Sequence, residues 1–344
     1  MIEILKNYDL TKLNTFHIKA SAKFFAEIKN EEEIIELFST SEFKDNEKLF
    51  LGGGSNILFI KDFEGIVILN RLKGMEIIKE DNKNIFIKSM GGEWWNDLVN
   101  FTVDRGYWGI ENLALIPGTV GATPVQNIGA YGVELKDVLE SVEVYEINTG
   151  DKNIFTNSEC EFGYRDSVFK SKLKGQYFIS AIILKLSKVE NKNVRYKALQ
   201  EYLDNNHVEV KSVKYISNAV CEIRKSKLPD PKILGNAGSF FKNVYVEKSK
   251  LEDLKNLYPE IPSFKESLLV QTGDMVKIPA GWLVEACGWK GKKVGNVGVY
   301  DKQALVLVNL GGATGQEIKN LSDEIIDSVY KKFGVKITPE VNLI

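Results

Sequence analysis

At 344 residues the chain is longer than one hydrophobic core usually organises, so two or three domains sharing a cleft are expected. Its 45 basic and 47 acidic residues leave a formal net charge of -2, which gives no basis for nucleic acid or an anionic membrane as a partner. The opening MIEILKNYDL lacks an apolar core, and no run approaches about 18 apolar residues. Neither a leader nor a membrane span is therefore predicted, the expected location is the cytoplasm, and no obligate protein partner is evident.

In chain order, EEEIIELFST (Glu31 to Thr40) sets Ile34, Ile35 and Phe38 at the spacing of an amphipathic helix. KLFLGGGSNILFI then reads as a strand, a tight glycine turn and a second strand or helix entry, completing a β-α-β unit. Gly52, Gly53 and Gly54, followed by Ser55 and Asn56, form a phosphate-loop candidate, with a hairpin bend as the alternative. It is not a dinucleotide fingerprint, because Ile57 occupies the third glycine position. GIVILN, NIFIKSM, SVEVYEIN and YFISAIILKL are β-rich runs, with WWNDLVNFTVDRG as a helix between them, giving an α+β domain from about residue 70 to 190.

Within that domain lies LIPGTVGATPVQNIGAYGVELK, Leu115 to Lys136, dense in glycine and nearly free of charge. Glycine at this density lets backbone N–H groups approach a ligand, and the natural guests are a phosphate and a planar cofactor. NAVCEIRKSKLPDP (Asn218 to Pro231) offers a helix closing on a double-proline stop, a hinge candidate. SDEIIDSVYKKF, Ser322 to Phe333, is a helix with Ser322 as its cap and Gly334 as its stop.

Cys160, Cys221 and Cys287 are odd in number and widely spaced, so buried inert thiols are expected rather than a disulfide framework or zinc site. His17 and His207 are the only histidines, and neither sits near a nucleophile motif. Three constellations remain for chemistry. In FGYRDSVFK, Arg165 beside Tyr164 is suited to clamp a carboxylate, or else it pairs with Asp166 on the surface. In KILGNAGSFFKNV, Ser239 follows two glycines without a GxSxG elbow, which suits a proton donor or a helix cap better than a nucleophile. In TPEVNLI, Glu340 sits in a β-like run where partial desolvation makes a carboxyl useful as an acid.

NTF (Asn14 to Phe16), LGGGSNILF, IPGTVGATPVQNIGAYG, YRDSVFK, RKSKLPDP, GNAGSFFKN, AGWLVEACGWKG, DKQALVLVN and PEV occur in the order seen in UDP-N-acetylenolpyruvoylglucosamine reductase, and the chain resembles that family over nearly its whole length. The resemblance implies an α+β fold of the vanillyl-alcohol oxidase type: two FAD-binding subdomains, residues 1–69 and 70–220, and a substrate domain, residues 221–344. It implies noncovalent FAD, NADPH as co-substrate and reduction of UDP-N-acetylglucosamine enolpyruvate. FAD would be held by Gly52, Gly53, Gly54, Ser55 and Asn56 around its pyrophosphate, and by Pro117, Gly118, Gly121, Ala122, Gln126, Asn127, Gly129, Ala130 and Tyr131.

The same resemblance gives Arg165 the substrate carboxylate, Ser239 the proton and Glu340 an assisting role at the carboxylate end. Tyr164, Lys227, Asn243 and Gln303 match positions near the substrate or its nucleotide. Tyr196 resembles the substrate-loop tyrosine of the larger family type. Two rival readings are a sister flavin oxidase acting on an alcohol or lactone and a non-catalytic flavin- or UDP-sugar-binding regulator. The absence of histidine from both glycine loops is the reason to expect unattached flavin.

Overall fold

The computed structural model describes residues 2–263 and 275–344. Two compact units form, and each gathers segments that are apart in sequence. The first takes Met1–Leu10, Ser21–Gly54 and Asp62–Ser226; the second takes Thr11–Ala20, Ser55–Lys61 and Lys227–Ile344.

In the first unit, strands Ser21–Ile28 and Lys48–Leu51 both run parallel to a central strand, Phe63–Asn70, while Leu5–Asp9 adds an antiparallel edge. The parallel arrangement needs a crossover, and the helix Glu31–Ser39 supplies it. Asn30 caps that helix by accepting from the Glu33 N–H (2.9 Å), and three glutamates in the first turn complement its dipole. Its buried face is Ile34, Leu37 and Phe38; Ile35, expected there, is 46 % exposed because one step of about 100° carries it off that face.

A second, antiparallel sheet orders the strands Lys152–Thr156, Leu139–Glu146, Tyr177–Ser187, Asn84–Met90 and Met75–Glu80. Helix Trp95–Val103 buries Trp95, Leu98 and Val99 in the same core, and Trp95 Nε1 donates to the Leu113 carbonyl (2.9 Å). Helix Val213–Lys227 adds Ile216, Ala219, Val220 and Ile223, a spacing of three, four and seven. It begins five residues before the segment read from sequence.

The second unit is built on an antiparallel sheet ordered Gly235–Ser239, Val306–Asn309, Val297–Val299 and Lys293–Val294, with helix Gly315–Phe333 packed on its two middle strands. A strand pair, Val244–Glu247 with Met275–Ile278, and helix Ala280–Ala286 complete it. Phe16, Ile18 and Leu58, from the two short early segments, are buried in this core. Strand Ile57–Leu58 pairs in parallel with Asn342–Leu343, and the Phe16 carbonyl accepts from Asn309 Nδ2 (2.8 Å).

The helix expected to start at Ser322 instead starts seven residues earlier. Thr314 is its cap, accepting from the Glu317 N–H while the Glu317 carboxylate accepts from the Thr314 N–H, and Ser322 is buried in its middle. Gly334 stops it in the left-handed region (φ 61°), as read from the sequence. Cys160 is buried, and desolvation pushes its thiol up to about 12, whereas Cys221 and Cys287 are half-buried rather than fully so. No helix among the described residues is long and apolar enough to cross a membrane.

Candidate active site

Each unit carries its own cluster of the residues singled out above. In the first, the strand Lys48–Leu51 delivers Gly52–Gly54 against the loop that follows Pro117. A Cβ on Gly52 would lie 2.3 Å from Thr119 Oγ1, and one on Gly53 would lie 2.8 Å from Gly118 Cα and 2.9 Å from a Trp94 ring carbon. A Cβ on Gly121 would meet Gly91 at 3.1 Å. Gly53 is thus required by the Gly118 backbone it lies on and Gly52 by the Thr119 side chain, while Gly121 packs tightly on Gly91, a nest that holds apart from any ligand. The nest is pinned: Trp95 N–H donates to Gly118 O (3.0 Å), Val120 N–H to Glu93 O (2.9 Å) and Gly121 N–H to Gly91 O (2.8 Å).

At this junction the Thr119 hydroxyl is buried without a hydrogen-bond partner. A closely approached backbone beside an orphaned hydroxyl fits a phosphate-bearing cofactor such as FAD, whose oxygens would satisfy it. Pro117 and Ala122 are exposed at the rim and Gln126 is half-buried. Asn127 is fully buried at φ 45°, and its side chain bridges Glu134 Oε2 (3.1 Å), Gly163 O (3.1 Å) and the Lys136 N–H (3.1 Å), so its amide shapes the loop. Gly129 and Ala130 form a short strand with Val133–Glu134, and the Tyr131 carbonyl accepts from Asn112 Nδ2 (2.9 Å).

Arg165 has a left-handed backbone (φ 53°), and its Nη2 donates to the Gly129 carbonyl (2.7 Å). Its guanidinium carbon lies 5.6 Å from the Tyr164 ring centre. Asp166, the alternative partner read from sequence, accepts from the Ser167 N–H instead (3.0 Å). Tyr196 occupies the cap position of helix Lys197–Asn205 and meets the Tyr131 ring edge-on at 5.3 Å. Sequence reasoning overlooked Thr119, with its orphaned hydroxyl, and Asn112, which holds the Tyr131 carbonyl.

In the second unit, Ser239 ends the strand Gly235–Ser239, which is no helix cap. The pairing register slips between Asn236 and Ser239, Gly238 sits at φ 69°, and its N–H donates to Asn236 Oδ1 (2.9 Å). This bulge turns the strand just before the serine, leaving Ser239 exposed. The Phe240 N–H then donates to Leu305 O (2.7 Å), and the Glu340 N–H donates to Phe240 O (2.7 Å).

Ser239 and Glu340 are therefore carried on hydrogen-bonded backbones, 101 residues apart in number. Glu340 is half-buried, and its carbonyl accepts from Asn56 Nδ2 (3.4 Å), so the residue leaving the first glycine turn joins the same cluster. Asn243 Oδ1 accepts from the Ala280 N–H (3.1 Å) and Gln303 Oε1 from the Leu305 N–H (3.4 Å), fixing both amide planes. Lys227 ends helix Val213–Lys227 and is exposed.

Comparison with known proteins agrees along the whole chain. A family model for the C-terminal domain of UDP-N-acetylenolpyruvoylglucosamine reductase matches residues 230–344, and one for a FAD-binding domain matches residues 22–151. The reductase of that name from Flavobacterium johnsoniae is 48 % identical over 344 residues, all of both chains. The one from Bdellovibrio bacteriovorus is 42 % identical over 339 residues, 98 % of this chain and 99 % of that one. The crystal structure of the Thermus caldophilus enzyme of that name superposes with a TM-score of 0.66 at 22 % identity, covering 100 % of this chain and 98 % of that one.

Proposed function

The chain belongs to the UDP-N-acetylenolpyruvoylglucosamine reductase family of FAD-dependent oxidoreductases, and on that premise we propose that it reduces UDP-N-acetylglucosamine enolpyruvate to UDP-N-acetylmuramate with NADPH. That step belongs to peptidoglycan precursor synthesis in the cytoplasm. FAD, when bound, relays the electron pair from NADPH to the terminal carbon of the enolpyruvyl group. The nest of Gly52–Gly54 against Gly118–Gly121 would hold it noncovalently, since neither loop contains histidine.

Reduction at the terminal carbon places negative charge on the adjoining carbon and its carboxylate, and stabilising that charge is the protein's task. Arg165, steadied on the Gly129 carbonyl, is assigned to the carboxylate. Glu340 is assigned an assisting role at the same carboxylate end. Ser239 donates the proton to the carbon next to the carboxylate, completing the lactyl ether. Tyr164, Tyr196, Lys227, Asn243 and Gln303 are assigned to the sugar nucleotide.

The observation that carries this reading is the placement of Ser239, on a bulged strand end, beside the Glu340 backbone. It is tested with the anaerobic flavin spectrum. NADPH should bleach it and the enolpyruvyl sugar should restore it. In a Ser239→Ala variant, bleaching should be unchanged and recovery slowed by roughly 100-fold or more, the scale of lost proton transfer. Equal recovery rates in the two proteins would remove Ser239 from its role.

A further inference from the structure

Asn112 lies in the single helical turn Glu111–Leu113, whose three residues are all buried. The turn has a fixed base, because the Leu113 carbonyl accepts from Trp95 Nε1 (2.9 Å). From it the fully buried Asn112 amide donates through Nδ2 to carbonyls of two separate segments, Tyr131 O (2.9 Å) and Asn193 O (2.9 Å). Both partners can only accept, so the amide nitrogen must face them. The Asn112 Oδ1 is left buried without a hydrogen-bond partner. An unmade acceptor costs stability, so an asparagine is a poor choice here for packing alone.

The backbone that this amide holds is in a rare conformation. Tyr131 and Gly132 are both left-handed, with φ 50° and 81°, which is costly for the tyrosine. The Tyr131 carbonyl accepts from Asn112 Nδ2, and the Gly132 carbonyl accepts from Asn193 Nδ2 (3.1 Å). Both turn residues are therefore tied to Asn193, one directly and one through Asn112. Three residues after Asn193, the Tyr196 ring meets the Tyr131 ring edge-on at 5.3 Å, and a Cβ on Gly132 would lie 3.8 Å from Tyr196 Cβ. Tyr196 is 48 % exposed, so part of its surface stays open to a ligand.

We propose that Asn112 is a positioning residue for the sugar nucleotide: its buried amide ties the Tyr131 turn to Asn193 and thereby sets Tyr196 in place before the substrate arrives. The inference rests on the assignment of Tyr196 to the substrate made above. Without the Asn112 amide, Tyr196 keeps its chemistry but samples more positions, and binding must then order it. That cost appears as weaker affinity, which is the converse of preorganisation.

FAD-loaded wild-type, Asn112→Leu, Tyr196→Ala and double-variant proteins are titrated, oxidised, with UDP-N-acetylglucosamine enolpyruvate, and their turnover is compared. Leucine removes both donors and the unpaired acceptor at similar volume. Asn112→Leu should weaken the sugar by roughly 10-fold, the scale of one or two lost hydrogen bonds. Its KM should rise far more than its kcat falls, and flavin content should stay at the wild-type level. In the Tyr196→Ala background the same substitution should cost little further, because the side chain it positions is gone.

A loss that persists in full without the Tyr196 side chain would show that Asn112 acts by another route and overturn the proposal. Unchanged affinity in Asn112→Leu would overturn it too, as would flavin lost at an unchanged melting temperature, which would place the effect on the cofactor. If leucine at 112 prevents folding, seen as lost flavin together with a lowered melting temperature, Asn112→Ser, which keeps one donor, decides through the same comparison with and without Tyr196. Wild-type affinity in the Tyr196→Ala single variant would instead sink the assignment of Tyr196 and this inference with it, a failure visible before any change at Asn112 is compared.

Discussion

Glu111 shows how a single side chain ties local geometry to solution behaviour. It is 2 % exposed, and its Oε2 accepts from the Gly109 N–H (2.6 Å). Desolvation is the dominant influence and raises its pKa above the ordinary 4.5. Folding therefore favours the protonated form: that stabilisation is complete below about 4.5 and is lost as pH rises through the raised folded value. Glu111→Gln keeps the acceptor and removes the titration. Its melting temperature should gain on wild type as pH rises from 4.5 and then level off, and a difference constant from pH 4 to 8 would show that Glu111 does not titrate this way. No pattern in the sequence marks Glu111 as buried. Ser239 and Arg165, by contrast, stood out in unusual local strings, and what could not be read was how a strand bulge and a left-handed backbone orient them.

Helices and strands were readable where one face is strongly apolar, and their ends were readable where capping chemistry is local. Glu31–Ser39 and the Gly334 stop follow from spacing and glycine alone. The start of Gly315–Phe333 did not, because Ser322 imitates a cap while Ile318 and Leu321 continue the apolar stripe upstream. The signal was Thr314 followed three residues later by Glu317. Thr314→Ala should accordingly cost about 1 kcal/mol in urea unfolding, and Ser322→Ala, inside the helix, should cost less. Equal losses would mean that the capping box contributes nothing. The pairing of Ile57–Leu58 with Asn342–Leu343 had no local signal, since its two strands are two residues each and nearly the whole chain lies between them.

Across the chain, the second unit is discontinuous. Residues 227–344 supply its sheet and helices, yet Phe16, Ile18 and Leu58 from elsewhere fill its core, each at most 1 % exposed. Burying three such side chains is worth about 1.5–3 kcal/mol apiece, comparable in sum to the whole stability of many domains. A fragment of residues 227–344 alone should therefore lack cooperative thermal unfolding and bind a dye for exposed apolar surface. A sharp transition in that fragment would show that the early segments are dispensable. Sequence alone announced the early segment only as the string NTF and gave no sign that it is core to the other end of the chain.

The parallel ladder between Ile57–Leu58 and Asn342–Leu343 has a consequence for how the protein is made. On the ribosome, residues 11–20 and 55–61 emerge early and must wait, their apolar side chains uncovered, until the later residues that complete this core have been made. At about 5–20 residues per second that interval lasts on the order of tens of seconds. Throughout it the nascent chain exposes apolar surface of the kind that promotes aggregation. The same late ladder sits two residues from Glu340 and closes on Asn56, whose side chain holds the Glu340 backbone carbonyl, so a prematurely terminated product would be both unfinished in its core and without the acid assigned to the reaction.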